Sequence, residues 1–251
     1  MRGFLKRYMK KLNKNYKNID AIRYFDEISK VGRYYSSARP VYVKPSKIFQ
    51  DVQKKLRIKK NELVLDAGCG SGLLSVEVAK KCKNVYGIDM ATKPLLMASH
   101  YTVKKKLNNI FFLKNDICDL SFRDNLFDKI IVYAVLHYME NLSQLKIAIN
   151  ELLRVCKKNG KILVAEITDE NLYENLKLKE NQKILNKFNY EKKKYDQKIN
   201  KIKFKIPKKN FKISPYLVSA EFKKKGCKVS ILTQNKELPF SITRKDILVT
   251  K

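Results

Sequence analysis

Three glycines follow an apolar run and its acid, Asp66, in the stretch LVLDAGCGSGLL: they are Gly68, Gly70 and Gly72. Glycine adopts backbone conformations closed to other residues and lets a ligand approach the main chain closely. A glycine-rich turn between a strand and a helix holds phosphates, dinucleotides or other ligands in α/β proteins. The loop therefore indicates ligand binding, and residues elsewhere in the chain must identify the ligand.

Two kinds of phosphate-binding loop fit this stretch poorly. A P-loop needs GxxxxGK[ST], and no lysine follows Gly68 at the required place. A dinucleotide fingerprint needs GxGxxG, but Leu73 occupies the position of the third glycine. The first reading is excluded, and the second is a partial match.

Polar residues end the next two predicted strands. Asp89 ends NVYGID, where an acid can accept both ribose hydroxyls of an adenosine, in a dinucleotide or in another nucleoside. Asn115 and Asp116 end the following strand, in FLKNDICDL. Ligands of open α/β sheets bind at the carboxyl ends of the strands, so we expect these residues to share one site with the glycine loop.

Four ordered stretches, VLDAGCGSG, VYGID, FLKNDICDL and FDKIIVYAVLHYM, together resemble the class I methyltransferases that depend on S-adenosylmethionine (SAM). The resemblance covers residues 62–167, extends loosely to the final hairpin, and is closest to small-molecule members of the methyltransferase-domain-11 kind. It implies SAM as the cofactor, bound by Asp66, Gly68, Gly70, Gly72, Asp89, Met90, Asn115, Asp116, Ile117 and Tyr133.

The resemblance also predicts residues on the acceptor side. His137 lies just past the fourth strand, where many small-molecule members carry Leu-His, and in phosphobase methyltransferases that histidine pairs with an N-terminal tyrosine. Tyr34 is the matching candidate here, so His137 and Tyr34 are the predicted catalytic residues. Tyr35 and Arg39 are the predicted substrate contacts. The alternatives are that His137 caps a helix or packs in its loop, and that Arg39 lies on the surface.

Strands alternate with helices from residue 62 onwards, which predicts an α/β fold. We expect a Rossmann-like, seven-stranded, mostly parallel sheet with helices on both faces and an antiparallel last strand. One helix is predicted to begin with Ser46 as N-cap, and another to run from Ser143 to a stop at Gly160. Residues 1–45 are predicted to form an N-terminal helical cap, residues 46–251 the SAM-binding domain, and 168–212 a substrate lid within it.

Charge is the most unusual feature of the composition. The chain of 251 residues has a formal net charge of +31 and contains 46 Lys but only 9 Arg. Specific readers of nucleic acid rely on the bidentate fork of arginine, so this lysine excess favours a compositional bias over a nucleic-acid partner. The lysine-rich segment 168–212 is consistent with an anionic acceptor or with a solvated loop.

The remaining composition narrows the class further. The five cysteines are odd in number and form no CxxC pair, which predicts neither a metal site nor a disulfide framework and favours the reducing cytoplasm. No stretch reaches the roughly 20 apolar residues of a membrane span. The predicted function is SAM-dependent methylation of an oxygen or nitrogen of a small polar metabolite, phosphorylated or sugar-like anions included. The alternatives are an RNA methyltransferase, a non-catalytic SAM-binding protein and a nicotinamide oxidoreductase.

Overall fold

The computed structural model describes residues 19–29, 44–175, 182, 183, 186, 189, 190, 193, 211–238 and 240–251. The helices of these residues are α1 Ile19–Ile28, α2 Pro45–Leu56, α3 Leu73–Ala79, α4 Thr92–Lys104, α5 Leu142–Val155, α6 Glu170–Asn175 and α7 Pro215–Lys223. The strands are β1 Leu63–Ala67, β2 Asn84–Asp89, β3 Ile110–Lys114, β4 Phe127–Tyr133, β5 Cys156–Thr168, β6 Lys228–Thr233 and β7 Arg244–Thr250. A short 3₁₀ turn spans Leu136–Tyr138.

The strands form one seven-stranded sheet in the order β3-β2-β1-β4-β5-β7-β6. The pairs from β3 to β5 are parallel, whereas β7 runs antiparallel to both of its neighbours, β5 and β6. The predicted sheet and its antiparallel last strand are therefore confirmed. The strand order reverses between β1 and β4, and that switch point is where an open α/β sheet leaves a crevice for a ligand.

Helices cover both faces of the sheet, as predicted. Side chains alternate along β4, so Ile130 and Val132 face one layer while Ile131 faces the other. The first layer is completed by residues of α5 and α7, among them Leu152 and Phe222. The second is completed by residues of α2 and α3, among them Val52. Because each face is buried, the carboxyl edge of the central strands is the place left for a site.

A buried cluster of charged side chains attaches α2 to β7 and, through it, to β5. Lys55 forms ion pairs with Asp51, one turn earlier, and with Asp246 of β7, at 2.6 Å in the second case. Asp246 also accepts hydrogen bonds from the backbone N–H of Glu166 at 3.0 Å and from Gln234 at 2.8 Å. Burial raises the pKa of Asp246, and Lys55 opposes that rise. Through Asp246, the backbone near the end of β5 is thereby linked to α2, to β7 and to Gln234.

Two helix boundaries differ from the sequence prediction. Helix α5 ends at Val155, not Gly160, because the carbonyls of Arg154 and Val155 accept the backbone N–H groups of residues 125 and 126 while Cys156 joins the sheet. Its N-cap is Asn141, whose side chain accepts from the backbone N–H of Gln144 at 2.9 Å, rather than Ser143.

The prediction for the start of α2 was also wrong. Pro45 occupies the first turn and Ser46 follows it inside the helix, while residue 44 is the N-cap. Proline suits this place because it has no backbone N–H, and an N–H in the first turn of a helix has no intrahelical partner.

The predicted cap and lid fall only partly within the described residues. Helix α1 lies inside the predicted cap 1–45, and the predicted lid begins at the last residue of β5 and continues into α6. Both domain boundaries stay predictions. In the parts of the chain that the structure describes, no helix has the length and apolar character needed to cross a bilayer.

Candidate functional site

The glycine loop after β1 folds back across the end of β2. The backbone N–H groups of Gly68 and Cys69 both donate to the carbonyl of Ile88, at 2.7 and 2.9 Å. Gly68 has a φ of +79°, and a β-carbon there would stand 2.2 Å from a methyl carbon of Val135. This position therefore accepts only glycine, and the loop presents bare main chain towards the carboxyl edge of the sheet.

Asp89 connects this loop to the next helix. Its Oδ2 accepts from the backbone N–H of Gly70 at 2.8 Å, and its Oδ1 accepts from that of Ala91 at 2.9 Å, just before α4. Burial raises the pKa of Asp89, while the hydrogen bonds from Ala91 and Gly70 work in the opposite direction. Each carboxylate oxygen keeps a further lone pair, which a vicinal diol can use.

Asp66 lies in β1, just before the glycine loop, and is buried. Its side chain is 2% exposed and accepts a hydrogen bond from Ser75 of α3. Burial raises its pKa to about 6, with the charge of Asp89 adding to the rise and the bond from Ser75 opposing it. Asp66 is placed to hold the start of α3 against β1. Its predicted contact with the cofactor stays a prediction.

The turn after β3 contributes the next polar groups. The backbone N–H of Asn115 donates to the carbonyl of Asp89 at 3.1 Å, which brings the two strand ends together. Asp116 folds its side chain over its own turn, where Oδ1 accepts from the backbone N–H of Cys118 at 2.8 Å. Oδ1 of Asn115 is buried and has no hydrogen-bond partner among the described residues. A buried amide oxygen of this kind suits the N–H of a ligand.

These residues enclose a cleft of about 860 Å³, measured to its open mouth, which we call the first cleft. Eight of the ten predicted cofactor residues line it: Gly68, Gly70, Asp89, Met90, Asn115, Asp116, Ile117 and Tyr133. Asp66 and Gly72 are outside the lining, and Gly72 instead precedes the first residue of α3.

The sequence motif FDKIIVYAVLHYM contains four further residues of the wall, Ala134, Val135, Tyr138 and Met139, of which Ala134 was expected at the end of the fourth strand. Sequence reasoning missed the others: Ile22, Phe25, Ile88, Ala91 and Gln144. Helix α1 reaches the cleft because Asp26 accepts from the backbone N–H of Lys93, at the start of α4, at 2.8 Å. The ring of Phe25 then meets that of Tyr138 edge-on, with centroids 5.3 Å apart. The only signal for α1 in the sequence is the aromatic pair in AIRYFDEISKV, which carries no ligand signature of its own.

The first cleft fits an adenosine that lacks phosphates. Asp89 would accept the ribose hydroxyls, Asn115 would accept an N–H of the base, and Ile117 and Met139 would cover the ring with apolar surface. The pocket has apolar walls and a few convergent polar groups, as small-molecule sites usually do. No lysine or arginine is among the residues that line it, so a pyrophosphate has no cationic partner in this part of the described structure.

A second cleft of about 1180 Å³ opens beside the first, and Tyr138 is the residue that lines both. Its described walls are His137, Tyr138, Thr168, Asp169, Glu170, Asn171, Phe211, Lys212, Ile213, Ser214 and Tyr216. His137 lines only this second cleft, and its ring centroid is 4.1 Å from that of Tyr138. Tyr34, Tyr35 and Arg39 lie outside the described residues, so the pairing of Tyr34 with His137 stays a prediction.

Cysteine and metal chemistry have little support here. All five cysteines are free thiols. Burial raises the pKa of Cys69 well above its usual value and that of Cys118 to about 12, so neither thiol near the first cleft is a ready nucleophile. Within the described ranges, no group of three or more His, Cys, Asp or Glu side chains is placed to hold a metal ion.

Comparison with known proteins agrees with this geometry. Residues 65–164 match the family model described as a methyltransferase domain. The chain is 33% identical over 150 residues to a sterol 24-C-methyltransferase of Gibberella zeae, covering 58% of this chain and 39% of that protein. It is 30% identical over 118 residues to a ubiquinone biosynthesis O-methyltransferase of Rickettsia typhi, covering 45% and 46%. The chain thus spans less than half the length of these two relatives.

The fold is shared with solved methyltransferases. The crystal structure of the N-methyltransferase NodS from Bradyrhizobium japonicum, in complex with S-adenosyl-L-homocysteine, superposes with a TM-score of 0.61 at 15% identity, covering 90% of this chain and 98% of that one. A SAM-dependent methyltransferase from Aquifex aeolicus gives a TM-score of 0.59 at 18% identity, covering 89% and 97%.

Proposed function

We propose that the chain is a class I SAM-dependent methyltransferase, which the match of residues 65–164 to the methyltransferase-domain model supports, and that it methylates an oxygen or nitrogen of a small polar acceptor bound in the second cleft. The observation that carries the proposal is the junction of the two clefts at Tyr138. One cleft fits the adenosine of SAM, and the other opens directly beside it with a histidine in its wall.

In this proposal, different residues of the first cleft bind different parts of SAM. Asp89 and Met90 would receive the ribose, and Asn115, Asp116 and Ile117 the adenine. The amides of the glycine loop, at the start of α3, suit the carboxylate of the amino-acid end. Ile22 and Phe25 of α1 line this cleft with apolar surface, and in this proposal they would help to keep water from the reacting groups.

SAM supplies an already activated methyl group, so the protein mainly has to orient the acceptor and exclude water. A hydroxyl or a protonated amine must also lose a proton before it can attack. His137 is the described residue of the second cleft best suited to take that proton, because imidazole is the side chain that most often serves as a general base. We therefore assign it the role of general base.

The relatives leave the acceptor open. One is named for methylation at a carbon of a sterol and another for an O-methylation in ubiquinone biosynthesis. The second cleft has both apolar walls, from Phe211 and Ile213, and polar groups, and we take its buried carboxylate, Asp169, beside His137 as support for a polar acceptor over a sterol-like one.

The test is incubation of the purified protein with methyl-labelled SAM and a cell extract, followed by separation of RNA, protein, lipid and metabolites. We expect a labelled product other than SAM in the metabolite fraction, formed only when the protein is added. Absence of transfer to every fraction would contradict methyltransferase activity and favour a SAM-binding protein without catalysis.

The net charge of +31 favours one second candidate, an RNA methyltransferase. Label in the RNA fraction would support it, together with binding to total tRNA that persists at physiological salt. Charge-driven contact alone would be lost as salt rises, because it depends on the release of counterions.

A further inference from the structure

We propose that the acceptor carries a protonated amine and that the carboxylate of Asp169 receives it in the second cleft. This inference rests on the proposed function and adds the chemical class of the acceptor. A protonated amine is positively charged, whereas the lysine content of residues 168–212 suggested a negatively charged acceptor.

Asp169 is a buried carboxylate in the wall of the second cleft. It follows the last residue of β5 and its side chain is 2% exposed. Its Oδ1 accepts from the backbone N–H of Asn171 at 3.2 Å, and its Oδ2 accepts from the hydroxyl of Tyr216 at 3.3 Å. Hydrogen bonds to a carboxylate are usually about 2.7–2.9 Å long, so both contacts are weak and leave capacity for a closer donor.

The charge around Asp169 is unusual for so basic a protein. The chain contains 55 lysine and arginine residues, yet none among the described residues lies within 4.0 Å of this carboxylate. The other charged residues of the second cleft, Glu170 and Lys212, pair with each other at 2.9 Å. Among the described residues, Asp169 is thus the charged group of the second cleft that forms no ion pair.

A buried carboxylate requires compensation from a cation or from strong donors. A primary or secondary ammonium supplies both, because it carries a positive charge and several N–H groups. A phosphate or carboxylate group at the same place would be repelled. The cleft therefore selects an amine over an anion.

The chemistry balances without another reactant. The acceptor ammonium gives one proton to His137, and the nitrogen lone pair forms a bond to the methyl carbon while the carbon–sulfur bond breaks. The products are the methylated ammonium, S-adenosylhomocysteine and one proton, which His137 passes to solvent.

Asp169 also precedes α6 and caps it through Asn171, so its role could be structural alone. The substitution Asp169→Asn separates the two roles, because asparagine caps helices as well as aspartate does but has no charge. The control is Asp128→Asn at the amino end of β4, outside both clefts, where the carboxylate likewise accepts a backbone N–H, that of Leu63 at 2.9 Å, and also pairs with Lys157.

The experiment uses labelled SAM and a deproteinised extract that is separated on cation- and anion-exchange columns at neutral pH. We expect a labelled product that is distinct from SAM, itself a cation, to appear among the cations only when the enzyme is present, and its initial rate of formation to fall about tenfold or more in Asp169→Asn. We expect SAM affinity by calorimetry to be unchanged in this variant, and Asp128→Asn to transfer the label at the wild-type rate.

The possible failures differ from one another. Label among neutral or anionic metabolites, or in RNA, would overturn the inference and leave methyl transfer itself intact. Label among the cations at an unchanged rate in Asp169→Asn would reduce this residue to a helix cap. Absence of any labelled product other than SAM would overturn the proposed function as well.

Discussion

Gly72 and Phe112 are in direct contact where α3 begins against β3. A β-carbon on Gly72 would stand 2.5 Å from Cζ of Phe112, and the φ of Gly72 is +68°. Gly72 therefore fixes how closely α3, the helix that follows the glycine loop, approaches the sheet, although it does not line the first cleft.

The substitution Gly72→Ala should destabilise the protein for two reasons. A left-handed conformation costs a residue with a β-carbon about 1–2 kcal/mol, and overlap with Phe112 adds about 1–3 kcal/mol. Gly226→Ala is the matched control, because Gly226 has a φ of +79° but no atom within 4 Å of the added carbon. Urea unfolding measures both, and equal losses in the two variants would contradict the packing role of Gly72.

Asp89→Ala should weaken SAM binding by about tenfold or more. The change removes the acceptors of the Gly70 and Ala91 backbone N–H groups as well as the expected ribose contact, and bonds to a charged group are worth about 1.5–3 kcal/mol each. Calorimetric titration with SAM gives the dissociation constant. Asp124→Ala, at an exposed site that pairs with Arg154, should bind SAM as the wild type does. An unchanged affinity in Asp89→Ala would mean that SAM binds elsewhere.

His137→Asn should lower kcat by about a hundredfold if the imidazole removes the acceptor proton. SAM affinity should not change, because His137 lines only the second cleft. The chain has one other histidine, His100, which is exposed on α4, so His100→Asn is the natural control. Turnover with the labelled metabolite decides the matter, and a near-wild-type rate in His137→Asn would end its role as general base.

The pKa of Asp66 predicts a pH dependence of stability. Burial raises this pKa from 3.8 to about 6, so between those values the native state keeps a proton that the unfolded chain has released. Stability should therefore fall as pH rises through this window, and the full penalty, on the order of 3 kcal/mol, should apply above it.

Asp66→Asn should remove that penalty while its amide oxygen still accepts the bond from Ser75. Denaturant unfolding at several pH values between about 4 and 7 should show a flatter dependence in the variant than in the wild type. Two parallel curves would mean that Asp66 does not hold its proton in the folded protein.

Much of the fold and half of the first cleft followed from local patterns. Strands that alternate with helices predict a parallel sheet, and parallel strands bring their carboxyl ends to one edge, so Asp89 and Asn115 could be placed together without a structure. The short hydrophobic runs near the C-terminus likewise predicted the antiparallel pair that β6 and β7 form.

The parts that escaped prediction depend on contacts between distant segments. Phe25 reaches the first cleft because α1 attaches to the start of α4, and nothing near Phe25 in the sequence signals that attachment. The early end of α5 arises because residues 125 and 126 take its last carbonyls. Gly160 resembled a helix stop, yet it lies in β5, where a β-carbon would stand 2.6 Å from the sulfur of Cys156.

Tyr138 forms a wall of both clefts, so a ligand in one cleft that moves the Tyr138 ring also changes the shape of the other cleft. A ligand that orders this ring lowers the entropy that the next ligand must lose, and the two binding equilibria become linked. Linkage is reciprocal: whatever factor SAM imposes on the affinity for the acceptor, the acceptor imposes on the affinity for SAM. On the proposed function, the shared side chain therefore predicts that the two binding equilibria are linked, which titration of SAM at several fixed concentrations of the acceptor would measure.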